Sequence, residues 1–337
     1  HPPQRPVAEA AVGYFWHMSP GHPSGRQFEI THGSQSATVV EVGGGIRTYE
    51  VEGRSVLDPY PVERICDGAH GAPLIPWPNR LDRGRYSFDG EAYQLPLTEP
   101  EQDNAIHGFL RWVTWAAEVH GPDAVTMSTT VAPRPGYPFW LDVSVGYRLG
   151  DKGLEVSTEI VNKGERACPV GHGQHPYLSA GSGLIDDCLL QHPGTVRILT
   201  DDRQLPAGRE EASGTKFDFA EPRQLGDIEI DFAFTDLRRD GEGKAWTRLE
   251  GADGKTASIW VDRNYPLVEL YTGHTLAPDR ARTGLGTEPM TCAPDAFNNG
   301  EGLIRLEPGE SASAVWALAS RAEHGAPADI PDPWRQR

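Results

Sequence analysis

Leu141-Asp-Val-Ser-Val-Gly-Tyr-Arg-Leu-Gly150 carries its apolar side chains at every second position. Leu141, Val143, Val145, Tyr147 and Leu149 fall on one face of an extended chain, and Asp142, Ser144, Gly146 and Arg148 on the other. Gly150-Asp-Lys-Gly153 supplies a turn, and Leu154, Val156, Thr158 and Ile160 resume the period of two. The stretch predicts a hairpin with one buried face.

The same period recurs outward from this hairpin. Tyr86-Ser-Phe-Asp-Gly-Glu-Ala-Tyr93 predicts a second one, with Asp89-Gly90 as a type I′ turn pair. Further strands are expected at 36–42, 46–52, 124–131, 196–200, 246–250, 256–262, 267–272, 303–307 and 312–319. No run of about 12 residues keeps a helical period without Gly or Pro, so helices should be few and short. Many short strands without alternating helices point to an all-β sandwich rather than a βαβ fold. Neither a repeat nor a linker divides the chain. One domain is expected over 18–321, with 1–17 and 322–337 as peripheral tails.

The 337 residues are 38% hydrophobic and 23% charged, enough for a packed core. Their 38 glycines and 29 prolines call for many turns. A net charge of −17 opposes binding to duplex nucleic acid or to an anionic membrane surface. No apolar run approaches the roughly 18 residues of a membrane span. Ala10 to Trp16 is short for a signal-peptide core, and a cytoplasmic location is expected. Cys66, Cys168, Cys188 and Cys292 lack zinc-like spacing and read as reduced thiols, although a Cys168–Cys188 disulfide is an alternative.

Five stretches concentrate rigid and ionisable residues. In Gly71-Ala-Pro-Leu-Ile-Pro-Trp-Pro-Asn-Arg80, three prolines fix the backbone and hand Asn79 and Arg80 to a preset position. Asn104-Ala-Ile-His107-Gly places a histidine in a turn. Gly171-His172-Gly-Gln-His175-Pro-Tyr-Leu178 offers two histidines that invite a metal reading, but spacing fixes no third ligand. A single imidazole also serves as a proton donor near neutrality. Asp231-Phe-Ala-Phe234 holds a carboxylate among aromatics, and Glu288 sits between Thr287 and Pro289 as a positioned base. Taken singly, each also reads as an ordinary turn, cap or solvated loop.

Together and in this order, these motifs resemble the aldose 1-epimerase (mutarotase) family from about Ala37 to Ala319. Leu-Ile-Pro-Trp-Pro-Asn-Arg (74–80), Tyr86-x-Phe-x-Gly90, Asn-Ala-Ile-His-Gly (104–108), Gln-His-Pro-Tyr (174–177) and Glu-Pro-Met-Thr (288–291) carry the likeness. The resemblance implies a large antiparallel β-supersandwich, galactose mutarotase-like, with a sugar cleft across a concave face. It implies Glu288 as general base, His175 as general acid and His107 near the ring oxygen. Arg80, Asp231 and Asn79 would orient the sugar. The acid motif departs from the Asn-His-x-Tyr-Phe form common in galactose mutarotases, which puts the sugar preference in question and leaves the reaction class intact.

Anomer exchange needs a base at O1 and an acid at the ring oxygen, with no metal or organic cofactor. Gly43-Gly44-Gly45 lacks dinucleotide-binding spacing. The expected activity is interconversion of the α and β anomers of a free hexose such as glucose or galactose. The expected partner is a small sugar, with no nucleic acid and no membrane. One alternative is a catalytically silent carbohydrate-binding or regulatory protein on the same fold. Another is an epimerase for a phosphorylated hexose, for which Arg80, Arg83 and Arg85 are the nearest cations.

Overall fold

The computed structural model describes residues 21–321 apart from 180 and 182, so the two expected tails lie outside the described residues. Leu141–Gly150 and Gly153–Asn162 pair antiparallel in full register, from Leu141 opposite Asn162 to Gly150 opposite Gly153. Leu141, Val143, Val145, Tyr147 and Leu149 are all buried, as are Leu154, Val156 and Ile160. This hairpin lies inside a nine-stranded sheet ordered Ala116–His120, Ala124–Val131, Leu141–Gly150, Gly153–Asn162, Ser311–Arg321, Thr256–Val261, Ala245–Glu250, Leu189–Gln191 and Arg223–Gln224.

A second large sheet runs Pro206–Glu211, Val196–Thr200, Asp231–Thr235, Leu267–Tyr271, Leu285–Met290, Gly173–Gln174 and Pro73–Leu74, with Tyr177–Leu178 also paired to Leu285–Met290. Gln174, fully buried in this sheet, ties the two together. Its amide donates to the Tyr147 hydroxyl at 2.9 Å and the Gly71 carbonyl at 3.0 Å, and accepts from Trp316 Nε1 at 3.3 Å. Both Tyr147 and Trp316 belong to the nine-stranded sheet.

The all-β expectation holds. Among the described residues the only α-helix is Ala296–Asn299, beside three single-turn 3₁₀ segments. Asp89 and Gly90 both have positive φ, at 50° and 81°, as a type I′ turn requires. All four cysteines are free thiols, so Cys168 and Cys188 are not joined.

Candidate active site

Strand register builds the floor of the cleft. Leu267–Tyr271 places Glu269 directly opposite Glu288 of Leu285–Met290. On the other side, Gly173 pairs with Met290 and Tyr177 with Gly286, which brings His175 opposite Glu288. His175, between Gly173–Gln174 and Tyr177–Leu178, thus forms one row with the strand residues Glu288 and Glu269, on one face. The next row on that face is Tyr177, Gly286 and Tyr271, extended by Asp231, which pairs with Tyr271. A Cβ at Gly286 would sit 3.0 Å from Tyr271 Cβ and 3.4 Å from His175 Cε1, so the glycine makes room for both rings.

Loops raise the walls. Ile75, Trp77 and Leu74 are fully buried, and Trp77 wedges edge-on against Phe109 and Phe297. This anchor presents Asn79 in a left-handed conformation, φ 56°. Arg80–Asp82 pairs with Asn104–Ile106, which delivers His107, also left-handed at φ 60°. Gly108 follows with φ 65°, and a Cβ there would lie 1.9 Å from the Ile75 carbonyl oxygen. Only glycine lets the two loops meet so closely.

The resulting cleft of about 340 Å³ is lined by all six expected residues: Asn79, Arg80, His107, His175, Asp231 and Glu288. His175 Nε2 lies 3.1 Å from Glu288 Oε1, and both side chains are buried. Burial raises Glu288 well above the usual carboxylate range; Glu269 and Asp231 push it further, while Arg80 and Arg111 oppose them. Burial lowers His175 well below the usual imidazole range, with His70, Arg111 and Arg80 adding to it. Both shifts disfavour isolated charges, so the two groups act as a pair that shares a proton between Nε2 and Oε1.

His107 has a fixed tautomer. The Asn79 backbone N–H donates to its Nδ1 at 3.1 Å, so the neutral ring carries its hydrogen on Nε2. The His107 backbone N–H returns a bond to the Asn79 carbonyl at 2.9 Å. Burial, then Arg111, His175 and Arg80, hold the ring well below its ordinary pKa. It is a neutral hydrogen-bond donor.

Asn79 Nδ2 donates to Glu269 Oε2 at 2.6 Å, and Asn79 Oδ1 accepts the Arg80 N–H at 2.8 Å. Arg80 grips Glu99 in a two-pronged contact, Nε at 2.8 Å and Nη2 at 2.9 Å. Asp231 is raised by burial, against the pull of Arg80 and His274. Glu269 is pushed up to about 8, first by burial and then by Asp231.

Several functional positions were not singled out in the sequence. Glu269 interrupts the otherwise apolar Leu267-Val-Glu-Leu-Tyr271, a strand buried at all five positions. A lone carboxylate inside an apolar run was the available signal. Arg111 and the exposed Trp112 also line the cleft. Arg111 makes no hydrogen bond or ion pair with any described residue, and its Cζ lies 5.7 Å from the centroid of the Trp112 ring.

Two alternatives raised by the sequence find no support in the geometry. His172 does not join His175: its ring is buried against Tyr265, neither nitrogen has a partner, and burial pushes its pKa down to about 3. An extended chain turns residues three apart to opposite faces. Arg83 and Arg85 do not gather around Arg80 either. Arg83 contacts Asp82 and Asp103, and Arg85 contacts Gln94, all away from the cleft.

His107, His175 and Glu288 do bring potential ligand atoms within 4.8 Å of one another. The hydrogen bond to His107 Nδ1 opposes a metal there. Ligation through Nε2 would need the ring hydrogen on Nδ1, directly against the Asn79 N–H.

A cleft floored by a buried carboxylate–imidazole pair, on an antiparallel sandwich, holds groups suited to moving protons on a small polar ligand. The family model described as aldose 1-epimerase matches residues 26–319, and the chain belongs to that family. It is 32% identical over 290 residues to the uncharacterized protein YihR of Escherichia coli, covering 86% of this chain and 91% of that protein. Rat galactose mutarotase is 28% identical over 215 residues, 59% of this chain and 60% of the relative. The fold matches an aldose epimerase homologue from C. elegans with a TM-score of 0.79 at 18% identity, covering 88% and 98% of the two chains. No helix among the described residues is long and apolar enough to cross a membrane.

Proposed function

We propose that the protein is an aldose 1-epimerase that interconverts the α and β anomers of a hexose. The observation that carries this reading is the placement of His175 opposite Glu288, facing one sugar-sized cleft. The anomeric O1 and the ring oxygen share one carbon, so the base and acid that serve them must be neighbours. Glu288 takes the O1 proton while His175 gives one to the ring oxygen, and the C1–ring oxygen bond breaks to leave an aldehyde. Rotation about C1–C2 exposes the other carbonyl face. The proton on Glu288 then returns to the aldehyde oxygen, and His175 recovers its own as the ring closes. The His107 Nε2–H donates a hydrogen bond to the ring oxygen without changing its own protonation. Arg80, Asp231 and Asn79 orient the remaining hydroxyls, and no metal or cofactor takes part. Free thiols fit a reducing compartment, the cytoplasm.

Polarimetry on fresh α-D-glucose and α-D-galactose tests the activity. A methyl glycoside of the better substrate, which lacks the O1 proton, should compete without changing anomer or releasing methanol. Methanol release would indicate a hydrolase, and hexose binding without anomer exchange would favour the silent-fold alternative.

Arg111 favours a second reading, a sugar that carries an anionic group. A partly buried guanidinium with no carboxylate of a described residue within hydrogen-bonding reach is free to meet the charge of a ligand. NMR exchange rates for a hexose, its 6-phosphate and its uronate decide between the two readings. A preference for the charged sugars that Arg111→Gln abolishes supports the anionic one.

A further inference from the structure

His175 lacks the usual device that aims a catalytic imidazole. A hydrogen bond from the second ring nitrogen normally fixes ring orientation, yet His175 Nδ1 is buried and without a partner. Its ring instead lies flat on Tyr177, with centroids 4.8 Å apart and planes 12° from parallel. The opposite face of Tyr177 lies on His70, 3.7 Å away and tilted only 7°. Three rings form a column.

The far end of that column is anchored outside the cleft. His70 Nδ1 donates to the Asp67 carbonyl at 2.7 Å, and its Nε2 meets Asp58 Oδ2 at 3.1 Å and Arg280 Nη2 at 3.0 Å. Arg280 also binds both carboxylates, Asp58 at 3.0 Å and Asp67 at 3.1 Å, and Thr283 adds a bond to Asp58 at 2.9 Å. Tyr177 is fixed independently, its hydroxyl donating to the Gly68 carbonyl at 2.7 Å. A partly exposed ion cluster that touches no reacting atom therefore holds the ring on which the acid rests.

We propose that Tyr177 and His70 are positioning residues, a stacked column that keeps the His175 imidazole aimed at the cleft in place of a hydrogen bond to Nδ1. The proposal rests on the acid role given to His175 above. Misaiming a proton donor slows the chemical step more than it weakens sugar binding. His70→Leu removes the outer ring, and His70→Phe restores a ring without its hydrogen bonds. Tyr177→Leu and Tyr177→Phe make the same comparison one step nearer.

Both leucine variants should lower kcat about tenfold or more while KM changes less than about threefold, and both phenylalanine variants should recover most of the loss. The His175 ring resonances in NMR should broaden or split in the leucine variants and stay sharp with phenylalanine. Leucine variants that match wild type in kcat and in His175 line shape would overturn the column. So would phenylalanine variants as impaired as leucine, or a loss confined to KM. If Tyr177→Leu fails to fold, the His70 pair decides. Should the wild type turn over no sugar, the NMR comparison still judges the column, and the epimerase reading fails separately.

Discussion

Glu288 and His175 meet at 3.1 Å in a pocket where neither is stable as a lone charge. Glu288→Gln keeps the shape and removes the base; His175→Asn removes the acid. Each should lower kcat by on the order of 100-fold or more, read by polarimetry on folded protein. Glu269 calls for a different measurement. Its folded pKa of about 8 lies above the ordinary 4.5, so the folded state keeps a proton that the unfolded chain releases. The stability this gives is complete below pH 4.5 and is lost as pH rises toward 8. Glu269→Gln stays neutral throughout, so its melting temperature should fall less than that of wild type between pH 5 and pH 8.5. Parallel curves would show that Glu269 is ionised in the native cleft.

Loops and strands divide the labour of building the site. The Ile75 and Gly108 loops meet where a side chain cannot fit, 1.9 Å from a backbone oxygen. Gly108→Ala should cost about 2–3 kcal/mol or more in a urea titration and lower kcat by displacing His107. Gly33 has a similar φ of 58° with nothing within 4 Å of its absent Cβ. Gly33→Ala should cost only about 1 kcal/mol, and equal losses at the two sites would refute the packing argument. These elements were legible to different degrees. The hairpin around Tyr147 was plain because alternation is a local signal, and the proline-rich wall was plain because proline fixes φ. Strand register was not, since nothing local tells Leu267–Tyr271 to lie beside Leu285–Met290. The Glu269–Glu288 pairing, and with it the third acidic group of the floor, followed only from the fold. The separation of His172 from His175 was hidden at the same level, because it depends on the alternation of an extended chain and not on their spacing.

At the scale of the molecule, Gln174 is the joint between the two large sheets. It bonds to Tyr147 and Trp316 of one sheet while flanking His175 in the other. Gln174→Leu keeps the volume and strands the Trp316 N–H, while the Gly71 carbonyl keeps only its bond from the Ile46 N–H. It should cost about 2–4 kcal/mol in urea denaturation, and it should reduce kcat because the acid is the next residue along the strand. A loss of stability with kcat untouched would mean that the joint holds the sheets together without steadying the chemistry.

The floor of the cleft belongs to paired strands, whereas Cys66, Gly68, Ala69, Arg111, Trp112, Thr275 and Leu276 reach it from connections between strands. In the proposed reaction the carboxylate–imidazole row that opens the sugar ring is thus set by the sheet, and the part that meets the rest of the sugar is set by the loops. Descendants of one ancestor can exchange the second without touching the first. Grafting these loops between relatives is therefore a direct route to a new sugar on an old reaction, with the row of His175, Glu288 and Glu269 left in place.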